Sequence, residues 1–194
     1  MGDKRAFVLD TARELFNRQG YGETTMRGIA EACGIAVGNL TYYYHTRSDL
    51  VAALMNDAFD RAMPPGEIET LSDLTEQFAR MLETLEKNAF YFLDDLDEPD
   101  TGDHHVQIRA RIMRGYGNLK EKQLFSSGFT LPVQEAVLDV LCMAHTSWLR
   151  ERKRHGRGMS TVAFLREHWI ILRPYLTQDG LAALEEEMQR PPLV

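Results

Sequence analysis

Residues 24–50 read TTMRGIAEACGIAVGNLTYYYHTRSDL, and the spacing of their apolar positions organises the rest of the 194-residue chain. Met26, Ile29, Ala30 and Cys33 recur at i, i+3, i+4, i+7, the pattern of a helix with one buried face. Gly34 interrupts it, and a residue free to take positive φ lets the chain reverse straight after a helix. A second set, Val37, Leu40, Thr41 and Tyr44, repeats the same spacing. Helix, short glycine turn, helix is the helix-turn-helix pattern, in which the second helix can lie in a DNA major groove. The segment from Val37 to Tyr44 is too short to be stable alone and needs bracing by neighbours.

Working outward, Val8, Ala12, Leu15 and Phe16 give a first helix from about Lys4 to Arg18, with Gly20 as its stop signal. Thr46-x-x-Asp49 has capping-box spacing ahead of Leu50, Val51, Leu54, Met55 and Phe59, which places a fourth helix over about residues 46–62. These features together resemble the DNA-binding domain of the tetracycline-repressor (TetR) family of bacterial regulators. The likeness rests on Ala12, Leu15-Phe16 and Gly20, on Thr24 to Ala30, on Cys33 to Leu40, and on the aromatic triplet followed by Ser48-Asp49-Leu50. It covers about a quarter of the chain. Ala36 stands where the family often has a capping serine or threonine, so about 1 kcal/mol of capping is expected to be missing. Thr41 replaces a common phosphate-contacting tyrosine, and Arg47 a usual lysine.

The resemblance implies an all-α protein: a three-helix DNA-binding domain over residues 1–50, and a larger helical ligand-binding and dimerisation domain over residues 63–194. It also implies a regulator, expected to be a repressor, that binds a palindromic double-stranded operator as a homodimer and is released by a small, largely apolar effector. Differential affinity for two states of the dimer would drive release. The fourth helix is the expected transmission element, a role probed by Leu54→Ala and Phe59→Ala. The alternative is a helical interaction adaptor without specific DNA binding.

Composition sets the remaining bounds. No run of 18 apolar residues and no signal-peptide pattern is present, so a cytoplasmic protein with no membrane partner is expected. Cys33 and Cys142 lie on separate apolar faces outside any metal or redox spacing and are expected to be buried free thiols. The net charge of −7 is unlike a strongly basic binder. Residues 1–61 carry seven Lys or Arg against eight Asp or Glu, and the remainder 15 against 21. Few cationic contacts to DNA are therefore expected, with a binding slope against salt no steeper than about −8 in log–log form. There is no HExxH, GxSxG or phosphate loop and no paired Glu-x-x-His, so no enzyme, cofactor or metal site is expected.

Between Ala36 and Tyr44 no side chain is charged. Base readout then falls on Asn39, Thr41, Tyr42 and Tyr43, with Arg27 from the preceding helix: Asn suits adenine, Arg guanine, and methyls or rings suit thymine. Val37 is a further expected DNA-binding residue, and Gly38 lets the backbone approach the duplex closely. Thr25, Thr46 and Arg47 suit phosphate. Three successive tyrosines, about 100° apart on a helix, cannot all face DNA, and Tyr44 is expected in the core.

Beyond the breaker Met63-Pro64-Pro65-Gly66, helices are expected at about 71–93, 106–125, 132–155, 161–173 and 177–189. The acidic run Asp94 to Asp103 reads as a loop, His104-His105 as poor ligand geometry, and the basic cluster around Arg150 to Arg157 as a helix C-terminus suited to cations. Gly156 and Gly158 are expected stops. Candidate effector-lining residues are Phe78, Met81, Phe92, Ile112, Tyr116, Met143, His145 and Trp148. Candidate dimer contacts are Val162, Leu165, Trp169, Ile170 and Leu172 in one helix and Leu181, Leu184 and Met188 in the next.

Overall fold

The structure, a computed structural model, describes residues 2–94, 96, 103–155 and 160–189. The chain is built from α1 (Gly2–Gln19), α2 (Met26–Ala32), α3 (Val37–Tyr43), α4 (Arg47–Ala62), α5 (Leu71–Lys87), α6 (Ala89–Leu93), α7 (His104–Glu121), α8 (Leu131–His155), α9 (Thr161–Leu172) and α10 (Gln178–Gln189), with a 3-10 turn at Arg173–Tyr175. Among the described residues the only extended pairing is one antiparallel bridge between Phe125 and Leu176. No described helix is long and apolar enough to cross a membrane. The acidic run after Asp94 falls mostly outside the described residues, as do Gly156, Arg157 and Gly158.

The chain divides into two compact units, Met1–Asp60 with Thr84–His104, and Arg61–Glu83 with His105–Val194. In the first, Ala12, Phe16, Ile29, Ala30, Leu40, Leu50, Leu54 and Met55 form a core sealed from solvent, which is the brace that short α3 requires. The end of α2 is a Schellman turn: Gly34, at φ 67°, donates to Glu31 O at 3.0 Å and Ile35 N donates to Ala30 O at 3.0 Å. The capping box of α4 is reciprocal, with Thr46 N to Asp49 Oδ2 at 2.9 Å and Asp49 N to Thr46 Oγ1 at 3.1 Å. Ala36 makes no side-chain cap bond at the start of α3.

The expected single helix over 71–93 is instead two, broken at Asn88. The break leaves backbone groups without helical partners, and one side chain of α1 takes them up: Asn17 Nδ2 donates to Lys87 O at 2.7 Å and its Oδ1 accepts from Phe90 N at 3.1 Å. Phe16 packs its ring 5.0 Å from that of Phe90 beside this contact. Helix α7 also stops sooner than its apolar pattern suggests. Gln123 sits at φ 60° and closes a Schellman turn through Gln123 N to Lys120 O and Leu124 N to Leu119 O, a role usually signalled by glycine.

In the second unit the core gathers Leu74, Phe78, Leu82, Ile112, Tyr116, Leu119, Phe125, Phe129, Leu138, Leu141 and Leu172. Its polar frame is a buried chain of hydrogen bonds. Gln77 Nε2 donates to Ala62 O at 2.8 Å, Gln77 Oε1 accepts from Arg111 Nε at 2.8 Å, and Arg111 Nη1 donates to Gly66 O. Cys33 is half-buried and Cys142 is exposed on α8, so the expectation of two buried thiols holds only in part for Cys33 and not for Cys142. The position of Cys142 is set by the outward face of α8 rather than by the apolar run around it.

Candidate nucleic-acid interface

Helix α3 hangs on one buried side chain, Leu40, which is 1% exposed. The residues around it turn outward: Val37, Gly38, Asn39, Tyr42 and Tyr43 are exposed and Thr41 is half-buried. Tyr42, at 76% exposure, is the most open of the large residues here, and its ring meets that of Tyr43 edge-on at 5.0 Å. Side chains this apolar standing in water suit a surface that is covered when a partner docks. Gly38 has no atom within 4 Å of where a Cβ would lie, so the backbone there is open to close approach. Tyr44 is half-buried at the C-terminal cap rather than fully in the core, and burial pushes its hydroxyl pKa up while Arg5 opposes the shift.

The residues expected at phosphate divide into two kinds. Thr25 and Thr46 are exposed helix caps; Thr25 Oγ1 accepts from Gly28 N at 3.0 Å, which leaves the hydroxyl proton to donate outward. Arg27 is exposed on α2. Arg47 differs, because its Nη1 is turned onto the carbonyls of the loop between α1 and α2: Tyr21 O at 2.5 Å, Thr24 O at 2.7 Å and Gly22 O at 3.2 Å. Its guanidinium also lies 4.4 Å from the Tyr21 ring centroid. Arg47 therefore ties the start of α4 to the loop that leads into α2. Spacing alone could not show this, since the acceptors are backbone atoms more than twenty residues away. Arg5 was missed for a similar reason: it sits in the first turn of α1, yet its guanidinium is 5.0 Å from the ring of Tyr43.

The eight candidate effector residues do not form one set. Phe78, Ile112, Tyr116, His145 and Trp148 are buried in the second unit, whereas Met81 is half-buried, Phe92 belongs to the first unit, and Met143 is 65% exposed. The spread arises because helical periodicity marks apolar faces without saying which core each face enters. Tyr116 is walled by Phe125 and Phe129 at ring distances of 6.0 and 5.1 Å, and its hydroxyl has no hydrogen-bond partner among the described residues. Burial pushes that hydroxyl well above the usual phenol pKa.

His145 and His168 meet at 2.5 Å through their Nε2 atoms. The Phe164 carbonyl, 2.8 Å from His168 Nδ1, can only accept. His168 must then carry its proton on Nδ1 and accept at Nε2 from His145 Nε2–H. The pair is enclosed by Phe78, 4.9 Å from the His168 ring, and by Phe164, stacked 5.0 Å from Trp148. Burial disfavours the charged imidazole, taking His145 down to about 3 with help from His168, and His168 down against the bond to Phe164. The unfolded chain binds these protons near pH 6.5 and the folded chain does not. Stability is thus complete above about pH 6.5 and is lost as pH falls toward the folded values, by up to about 1.4 kcal/mol per pH unit for each imidazole. His145→Gln is expected to flatten the fall between about pH 6.5 and about pH 5 by one proton's worth, read from urea unfolding at each pH.

The candidate dimer residues also separate. Trp169 is buried and its Nε1 donates to Thr75 Oγ1 at 3.3 Å, and Leu184 is 7% exposed, so both lie in the core of the chain itself. Leu172 is fully buried as well. Val162, Leu165 and Leu181 are half-buried, while Ile170 and Met188 are exposed. On α8, Ala136, Val140, Met143 and Ser147 are exposed at i, i+4, i+7, i+11. Among the described residues no group of three or more His, Cys, Asp or Glu could hold a metal ion.

Comparison with known proteins places this geometry in a family context. Residues 8–54 match the family model described as bacterial regulatory proteins, tetR family. The regulator UidR of Escherichia coli K12 is 29% identical over 159 residues, 82% of this chain and 69% of its own. The regulator YuxN of Bacillus subtilis is 30% identical over 61 residues, and the matched stretch spans only 21% of its length. The fold is that of a TetR-family transcriptional regulator from Marinobacter aquaeolei VT8, at TM-score 0.74 and 21% identity, covering 98% of this chain and all of that one.

Proposed function

Because the chain belongs to the TetR family of bacterial regulatory proteins, we propose that it is a one-component repressor that binds a palindromic operator as a homodimer and releases it on taking up a small, largely apolar effector. The observation that carries the reading is the uncharged, outward face of α3, with Asn39, Tyr42 and Tyr43 exposed around the single anchor Leu40. Asn39, Thr41, Tyr42 and Tyr43 would read bases, with Arg27 beside them, while Val37 and Gly38 would let α3 sit close against the duplex. Thr25 and Thr46 would meet phosphate. Arg47 would act through the loop it clamps.

A three-helix unit reads only a few base pairs, and two-fold pairing doubles the site. The exposed stripe of α8 with Val140 and Met143, together with Ile170 of α9, is the apolar surface proposed to pair with a second copy; these three side chains are 46%, 65% and 62% exposed. The buried aromatic surroundings of Phe78, Tyr116 and Trp148 support an apolar effector, and the unpartnered Tyr116 hydroxyl supplies one polar anchor for it. Light scattering on the protein with its duplex tests the dimer. Two protomers per palindrome are expected, and Met143→Asp with Ile170→Asp is expected to give a monomer with at least about tenfold weaker operator binding. A wild-type protein that binds its duplex as one protomer would overturn the reading.

A further inference from the structure

We infer that Arg5 is a phosphate contact that supplies the recognition helix with the positive charge its own sequence lacks. The inference rests on the DNA-binding reading above and adds a residue to it. An aromatic, uncharged face brought against a polyanion gains little from counterion release, and the deficit has to be met from neighbouring elements. Two of the first unit's cations are already engaged within the fold. Arg13 is paired with Asp10 at 2.9 Å, and Arg47 Nη1 faces three loop carbonyls.

Arg5 is exposed, and its guanidinium lies 5.0 Å from the Tyr43 ring centroid, beside a residue expected at the DNA. Stacking on a ring engages the flat face of a guanidinium and leaves its five donors around the edge, which is the geometry that binds a phosphate. Lys4, next to it, is also exposed. Tyr43 thus acts as a shelf that holds an arginine from α1 over the edge of α3. Its ring in turn is held edge-on by Tyr42.

Anisotropy titrations of the full chain on its selected duplex and on a random duplex, from about 50 to about 200 mM salt, test this. Arg5→Ala is expected to weaken both duplexes by the same factor and to flatten the log K against log salt slope by about 0.9 for each protomer. Arg5→Lys should keep the slope, and Tyr43→Leu should reproduce part of the loss. Thermal midpoints of all three should match the wild type, because the substituted side chains are exposed. An unchanged slope in Arg5→Ala would overturn the inference, as would a change in which sequence Arg5→Ala selects, since that would mean base reading by Arg5 itself. Wild-type protein that binds neither duplex would overturn the DNA-binding reading itself, a distinct result.

Discussion

Gly180→Ala is expected to unseat α10 and to destabilise the second unit by about 3 kcal/mol, the upper part of the range for overpacking. A Cβ at this position would lie 2.1 Å from Leu124 O, 3.1 Å from Leu124 C and 3.2 Å from Leu176 Cβ. Backbone is the obstacle, and no rotamer change relieves it. Both sides of the contact are also pinned. Thr177 Oγ1 accepts from Gly180 N at 3.0 Å and donates to Gln123 O at 2.6 Å, while Thr177 N donates to Leu124 O at 3.1 Å. The first turn of α10 is thereby held against the loop after α7, whose conformation depends on the left-handed Gln123. Gly117 provides the control, because it lies within α7 with nothing within 4 Å of its Cβ position. Gly117→Ala should be neutral or stabilising by about 0.5–1 kcal/mol through helix propensity alone. Urea unfolding followed by circular dichroism measures both. Equal midpoints for the two variants would show that α10 is not seated on that carbonyl.

Gln77→Leu is expected to cost about 3–5 kcal/mol, as breaking a buried charged network does. The side chain is fully buried and serves two partners, Ala62 O and Arg111 Nε. Leucine fills the volume but leaves the last carbonyl of α4 unsatisfied and strips a buried guanidinium of an acceptor. Each orphaned group costs about 1–3 kcal/mol, more when it is charged. The same physics makes the loss non-additive. Once Gln77 is gone, Arg111→Leu removes the stranded charge, so the double variant should be no less stable than Gln77→Leu alone. Simple addition of the two single losses would show that Gln77 and Arg111 do not act as one network. The network also holds the C-terminal end of α4, because Ala62, whose carbonyl Gln77 meets, is the last residue of that helix. Leu54→Ala and Phe59→Ala, in the same helix, ask whether release changes while effector affinity stays.

What was legible in the sequence follows from where each determinant lies along the chain. The helix-turn-helix could be read because its signals are local: the i, i+3, i+4, i+7 apolar sets, a glycine that must take positive φ, and the Thr46 and Asp49 box all act within one or two turns. The same locality exposed the missing cap at Ala36. Determinants that join distant segments were not legible. The carboxamide of Asn17 splits the expected 71–93 helix by taking up backbone groups some seventy residues away. Arg47 reads as a phosphate ligand from its position alone, and nothing local foretells the loop carbonyls of Tyr21, Gly22 and Thr24 that its Nη1 meets. Gln123 closes α7 in a conformation that composition would assign to glycine. Met143 and Trp169 show the limit of periodicity most plainly. Each lies in an apolar stretch, yet one faces out and the other is locked to Thr75, because a stripe marks a face without naming what covers it.

The most direct test of the central claim is selection of bound sequences from a random duplex pool by the purified protein at moderate salt, repeated with Asn39→Ala and Tyr42→Ala. A regulator that reads DNA through α3 should recover a palindrome, and its half-sites should change or lose information at particular positions in each variant. Recovery of no enriched sequence would contradict the account and favour a helical adaptor that uses the same surfaces on proteins.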